Sequence, residues 1–124
     1  MIFVFGSNLA GRHGAGAALY AAKYHGAIRG IGLGIQGNSY GIPTKGETLH
    51  TLPLNQIKRY VGYFMQYADN HRSQEFQVTC IGCGLAGLKH EDIAPMFVTA
   101  PNNCLFDTLW KPWLGDDKRY WGSF

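Results

Sequence analysis

Twice in its 124 residues the chain runs from an apolar stretch of strand character straight into glycine. Phe3-Val4-Phe5 leads through Gly6-Ser7-Asn8 to Gly14-Ala15-Gly16, and Val78-Thr79-Cys80-Ile81 leads into Gly82-Cys83-Gly84-Leu85-Ala86-Gly87. A strand that ends in glycines and passes into a helix leaves amide N–H groups unpaired at the positive end of that helix, a setting that holds anions and phosphate above all. Two such loops on one small domain imply a ligand with more than one phosphate. Neither loop is a P-loop, because no Gly-Lys-Ser/Thr follows. Neither is a Gly-x-Gly-x-x-Gly dinucleotide fingerprint with an acidic residue after the next strand.

The rest of the chain alternates in the same way. Ile2 to Phe5 is wholly apolar, as in a strand covered on both faces. Ala15 to Tyr24 reads as a small-residue helix that stops at Gly26. Between Gly30 and Gly37, glycines alternate with Ile31, Leu33 and Ile35, which fits either a thin strand or a loop. Ser39 to Thr44 reads as a strand with Pro43 near its end. Asn55 is a candidate N-cap for a helix whose apolar positions Ile57, Tyr60, Val61, Phe64, Met65 and Ala68 recur at three- and four-residue intervals. Phe76 to Ile81 is the next strand, Glu91 to Val98 a helix with Pro95 near its first turn, and Asn103 to Phe106 a short last strand. This order predicts an α/β fold: parallel strands, helices on both faces, and ligand binding beyond the carboxyl ends of the strands. The tail from Trp110 to Phe124 shows no clear period.

Composition sets the outer limits. The length suits a single domain spanning residues 1–124. With 46% hydrophobic and 15% charged residues, and no apolar stretch long enough for a bilayer, the chain reads as soluble and without a membrane partner. Met1-Ile2-Phe3-Val4-Phe5 enters a strand at once without a basic segment or cleavage site, so a cytoplasmic location is expected. Three cysteines in such a chain favour reduced thiols over a disulfide framework. A net charge of +3 with scattered basic residues suits a small anionic ligand as well as nucleic acid.

Taken together, three segments resemble the macrodomain family, which binds ADP-ribose. Asn8 followed by Gly14-Ala15-Gly16-Ala17-Ala18 is similar to the first ligand loop of macrodomains. Ile81-Gly82-Cys83-Gly84-Leu85, with Lys89 to Phe97 behind it, resembles the second loop in its terminal ADP-ribose protein glycohydrolase form. Ser39-Tyr40-Gly41-Ile42-Pro43-Thr44-Lys45 resembles the strand that delivers the catalytic lysine of those enzymes. The likeness runs from about Phe3 to Phe106 and implies a three-layer α/β/α fold on a mixed, mostly parallel sheet. It also implies a ligand site of Gly6, Ser7, Asn8, Gly14, Ala15, Gly16, Ala17, Thr44, Gly82, Cys83, Gly84, Leu85, Ala86 and Gly87. In that site Lys45 attacks the anomeric carbon of the distal ribose and Asn8 bonds the ribose hydroxyls. No cofactor and no metal are implied. The partner expected is ADP-ribose or a related nucleotide, free or carried on an ADP-ribosylated macromolecule.

The chain departs from that pattern at two places. The relatives carry an aspartate directly after the Gly-Leu of the second loop, where this chain has Ala86, which transfers no proton. Candidates to replace it are His13, Glu47, His50, His90 and Asp92. The early strand and loop that supply an aspartate for adenine in many macrodomains have no counterpart, so the fold expected is a minimal version, with Phe106 and Trp110 as candidates to stack on a base. Cys80-Ile81-Gly82-Cys83 matches a C-x-x-C motif, but with Cys104 as the one further cysteine it is short of a tetrahedral metal site unless His90 joins. Three readings follow: an ADP-ribosyl hydrolase, a non-catalytic reader or sponge of ADP-ribose-type nucleotides, and an assembly module with structural glycine loops and Trp110, Trp113 and Trp121 as its contact surface.

Overall fold

In the computed structural model, which describes residues 1–124, six strands form one sheet. They are β1 (Ile2–Asn8), β2 (Gly34–Gln36), β3 (Ser39–Lys45), β4 (Phe76–Val78), β5 (Cys104–Asp107) and β6 (Arg119–Gly122), in the spatial order β2-β3-β1-β4-β5-β6. All neighbours are parallel except β2, which runs antiparallel on the edge of β3. Four α-helices complete the fold: α1 (Gly16–Tyr24), α2 (Leu54–Asp69), α3 (His90–Ile93) and α4 (Lys111–Leu114). None is long and apolar enough to cross a membrane.

The alternation of side chains along a strand explains the layering. In β1, which lies between β3 and β4, Phe3 and Phe5 point into a small core with Ala18 and Ala21 of α1. Ile2 and Val4 point the other way, into the larger core with Ile42, Phe76, Phe106 and the buried stripe Ile57, Val61, Phe64 and Ala68 of α2. Helices therefore cover both faces. Glycine at 32 is required by close approach: a Cβ there would lie 2.0 Å from the carbonyl oxygen of Asn8. The segment before β2 thus lies directly against the end of β1, and Gln36 secures it by accepting from Ile28 N and donating to the Ile31 carbonyl.

Several elements differ from their sequence expectation. The α2 helix begins one residue before Asn55: Pro53 is the N-cap, and its carbonyl takes the bonds from Gln56 N and Ile57 N. The helix expected from Glu91 to Val98 is split into α3 and a 3-10 turn over Ala94–Phe97, because Pro95 has no N–H to give the carbonyl four residues back. Strand β4 stops at Val78, where Thr79 instead caps the Val4 carbonyl with both its N–H and its hydroxyl. Nor is β5 the last strand. The aperiodic tail folds back to add β6, and Trp121 Nε1 donates to the Val78 carbonyl at 2.9 Å. Phe106 and Trp110 are wholly buried, so neither stacks on a ligand and Trp110 is not part of a contact surface.

Candidate functional site

Beyond the carboxyl ends of the strands lies a cleft of about 710 Å³. Most of its wall comes from three segments: Gly6, Ser7 and Asn8 at the end of β1 with residues 14–17 beyond them, Thr44 and Lys45 at the tip of β3, and residues 82–86 after β4. Every residue expected in the ligand site is there except Gly87, whose N–H closes a turn onto the Gly84 carbonyl and which shapes the loop without reaching the wall. The two loops meet: a Cβ on Gly6 would lie 3.1 Å from Gly82 N, and one on Gly16 would lie 3.2 Å from Leu85 Cδ1. Gly82 has φ of +75°, a backbone conformation that side-chain-bearing residues rarely adopt, so this turn takes glycine.

Amide donors converge on the cleft. The N–H groups of Gly14 and Ala15 before α1, of Gly16, Ala17 and Ala18 in its first turn, and of Gly82, Gly84, Leu85 and Ala86 in the second loop have no acceptor within the chain. Ala15 is the N-cap of α1, contributes no side-chain bond, and is followed by no acidic residue in the first turn, so the positive end of this helix is unneutralised. Two cations join these donors. The four ion pairs of the chain are Arg72–Asp69, Lys89–Glu91, Lys111–Asp116 and Arg119–Glu75, which leaves Arg12 and Lys45 in the cleft wall with no carboxylate partner.

The remaining polar groups shape the site. The Asn8 side chain accepts from Arg12 N and donates to the Arg12 carbonyl, both at 2.9 Å, which folds the first loop back on Asn8. Ser7 Oγ donates to the Gly32 carbonyl, and Thr44 Oγ1 is 3.4 Å from the Ser7 carbonyl, so both hydroxyls brace the floor. Cys80 and Cys83 also line the cleft. Burial, with the negative Asp107 next in importance, pushes the Cys80 thiol up to about 12. Burial and then Asp92 push Cys83 up to about 11. Both are therefore neutral at pH 7 and put no negative charge beside an anion. All three cysteines are free.

Of the groups weighed as replacements for the acid missing at Ala86, one reaches the cleft. His13 is wholly buried elsewhere, 3.0 Å from the Ile28 carbonyl and 3.1 Å from Gln36 Oε1. Glu47, His50 and Asp92 lie outside the wall, and His90 is in it. Leu49, also in the wall, holds a φ of 66°, a strained conformation for a branched side chain that the turn from Gly46 to His50 imposes. Sequence reasoning missed Arg12, Leu49, Thr79, Cys80, Asp107, Leu109 and Phe124 as wall residues. Arg12, inside the first loop, and Thr79 and Cys80, just before the second, were findable from their positions; the others arrive through tertiary contacts. Asp107 is buried and fully engaged: Oδ1 accepts from Leu109 N, and Oδ2 from Ser123 Oγ and Phe124 N. Comparison with family models, curated proteins and solved structures finds no match to this chain.

Proposed function

We propose that the cleft binds ADP-ribose or a closely related derivative, and that the fold is a macrodomain of the terminal ADP-ribose protein glycohydrolase type. The observation that carries this reading is the convergence of unpaired amide N–H groups from two loops, flanked by unpaired Arg12 and Lys45, on one cleft. Oriented amides stabilise a diphosphate without a metal. The strand order supports an elongated ligand. Lys45 ends β3, Asn8 ends β1, the second loop follows β4 and Asp107 ends β5. These tips span three strand intervals, about 15 Å at the usual spacing. A sugar beside Lys45 and Asn8, phosphates over the loops and a base toward Leu109 and Phe124 would fill that length.

Ala86 gives no proton, so the reading is a binder, a reader or sponge of ADP-ribose-type nucleotides. Hydrolysis at the distal ribose is the second reading, favoured by one observation: Lys45, the nucleophile that the resemblance implies, stands in the wall free of any ion pair. Thermal melting against ADP-ribose, its 1″-phosphate, NAD and AMP tests both. Saturation at 100 times the dissociation constant should add about 2.7 kcal/mol of stability. Product release that is lost in Lys45→Ala while binding persists would establish the hydrolase. Melting unmoved by any of the four nucleotides would overturn the nucleotide reading and favour an assembly module.

A further inference from the structure

The wholly buried Trp110 aims its indole Nε1–H, which can only donate, at His90 Nδ1 2.9 Å away. That bond assigns the tautomer: the lone pair is on Nδ1 and the hydrogen on Nε2. The imidazole also lies against Trp113, with ring centroids 5.8 Å apart and planes 20° from parallel. Two tryptophans therefore fix both the orientation and the proton of a partly buried ring in the cleft wall. The bond from Trp110 is the one hydrogen bond that ring makes within the chain.

The geometry points to His90 as a ligand-binding residue, a fixed Nε2–H donor to a phosphate oxygen of the nucleotide in the cleft, with Trp110 as the residue that positions it. An Nε2–H edge can be met only by an acceptor, and among the acceptors of such a ligand the ionised phosphate oxygens form the strongest bond, so the best match is to the diphosphate. The same bond removes His90 as a general base. To take a proton on Nε2 the ring must carry its hydrogen on Nδ1, where it would face the Trp110 N–H, donor against donor. His90 thus adds to binding and does not replace the acid missing at Ala86. This inference rests on the nucleotide reading of the cleft.

Two substitutions separate the ring edges. His90→Asn leaves an amide oxygen near the Nδ1 position for Trp110 and removes the outer donor, whereas His90→Gln extends an amide N–H toward the Nε2 position. ADP-ribose and inorganic pyrophosphate, titrated calorimetrically, should bind His90→Asn about tenfold more weakly than wild type, the low end for a hydrogen bond to a charged group. His90→Gln should recover part of that loss. Long-range ¹H–¹⁵N spectra of the wild-type imidazole should show the Nε2–H tautomer without ligand. Equal affinity of wild type and His90→Asn would overturn the inference and leave the nucleotide reading intact. An Nδ1–H ring would overturn the inference whatever binds, and wild type that binds neither probe would overturn both.

Discussion

At the scale of single residues, the thiols link packing to pH. Burial raises Cys104 to about 12, as it does Cys80, and raises Cys83 to about 11, against a starting value of 9.0. The folded state therefore keeps these protons where the unfolded chain loses them. Their contribution is complete below about pH 9 and is lost progressively as pH rises toward the folded values. Denaturant unfolding measured from pH 8 to 11 should show stability falling from about pH 9 upward, and a flat profile would contradict the burial of these groups. Residue identity also explains what the sequence made readable. Gly82 and Gly16 stand out in any reading because glycine is the residue for their positive φ. Asn8 stands out too, but its amide is spent on both backbone groups of Arg12, a use that its place in a loop already allowed. His90 was one of five candidates of equal standing until Trp110, 20 positions away in sequence, was found to set its tautomer.

At the scale of elements, α1 sets stability against binding. Its N-cap is Ala15, among the poorest residues for that place, and its first turn has no acidic residue. Ala15→Asp should stabilise the protein by about 1 kcal/mol, because the carboxylate would cap the free N–H groups of the first turn and oppose the helix dipole. It should also weaken ADP-ribose binding at least tenfold, since the same N–H groups and the same positive end are those offered to phosphate. Urea unfolding and calorimetric titration of one variant read both effects, and a stabilised variant with unchanged affinity would remove the first loop from the site. The long helix α2 was legible because its buried positions Ile57, Val61, Phe64 and Ala68 repeat at helical spacing. The break at Pro95 was not placed correctly, since the sequence shows the proline but not which side of it the chain continues as α-helix.

At the scale of the whole molecule, Asp107 ties the end of β5 to the tail. Its carboxylate takes Leu109 N, Ser123 Oγ and Phe124 N, and Phe124 in turn packs on Phe3 and Tyr20, beside α1 on the far face of the sheet. Asp107→Ala should cost about 1–2 kcal/mol, because three part-buried donors lose the buried carboxylate that accepts from them, and should speed amide exchange in β6 well beyond that in β1. Uniform exchange across the sheet would argue against this latch. The strands beside glycines, the main helix and the two amide loops were determined by the sequence itself, because hydrophobic period, glycine and proline act within a few residues along the chain. Only the tertiary structure decided that the tail supplies β6, that Trp110 is core, and that His90, Asp107 and Phe124 join the cleft. Those depend on hydrogen bonds and packing between segments 16 to 121 residues apart, and no local spacing carries that information.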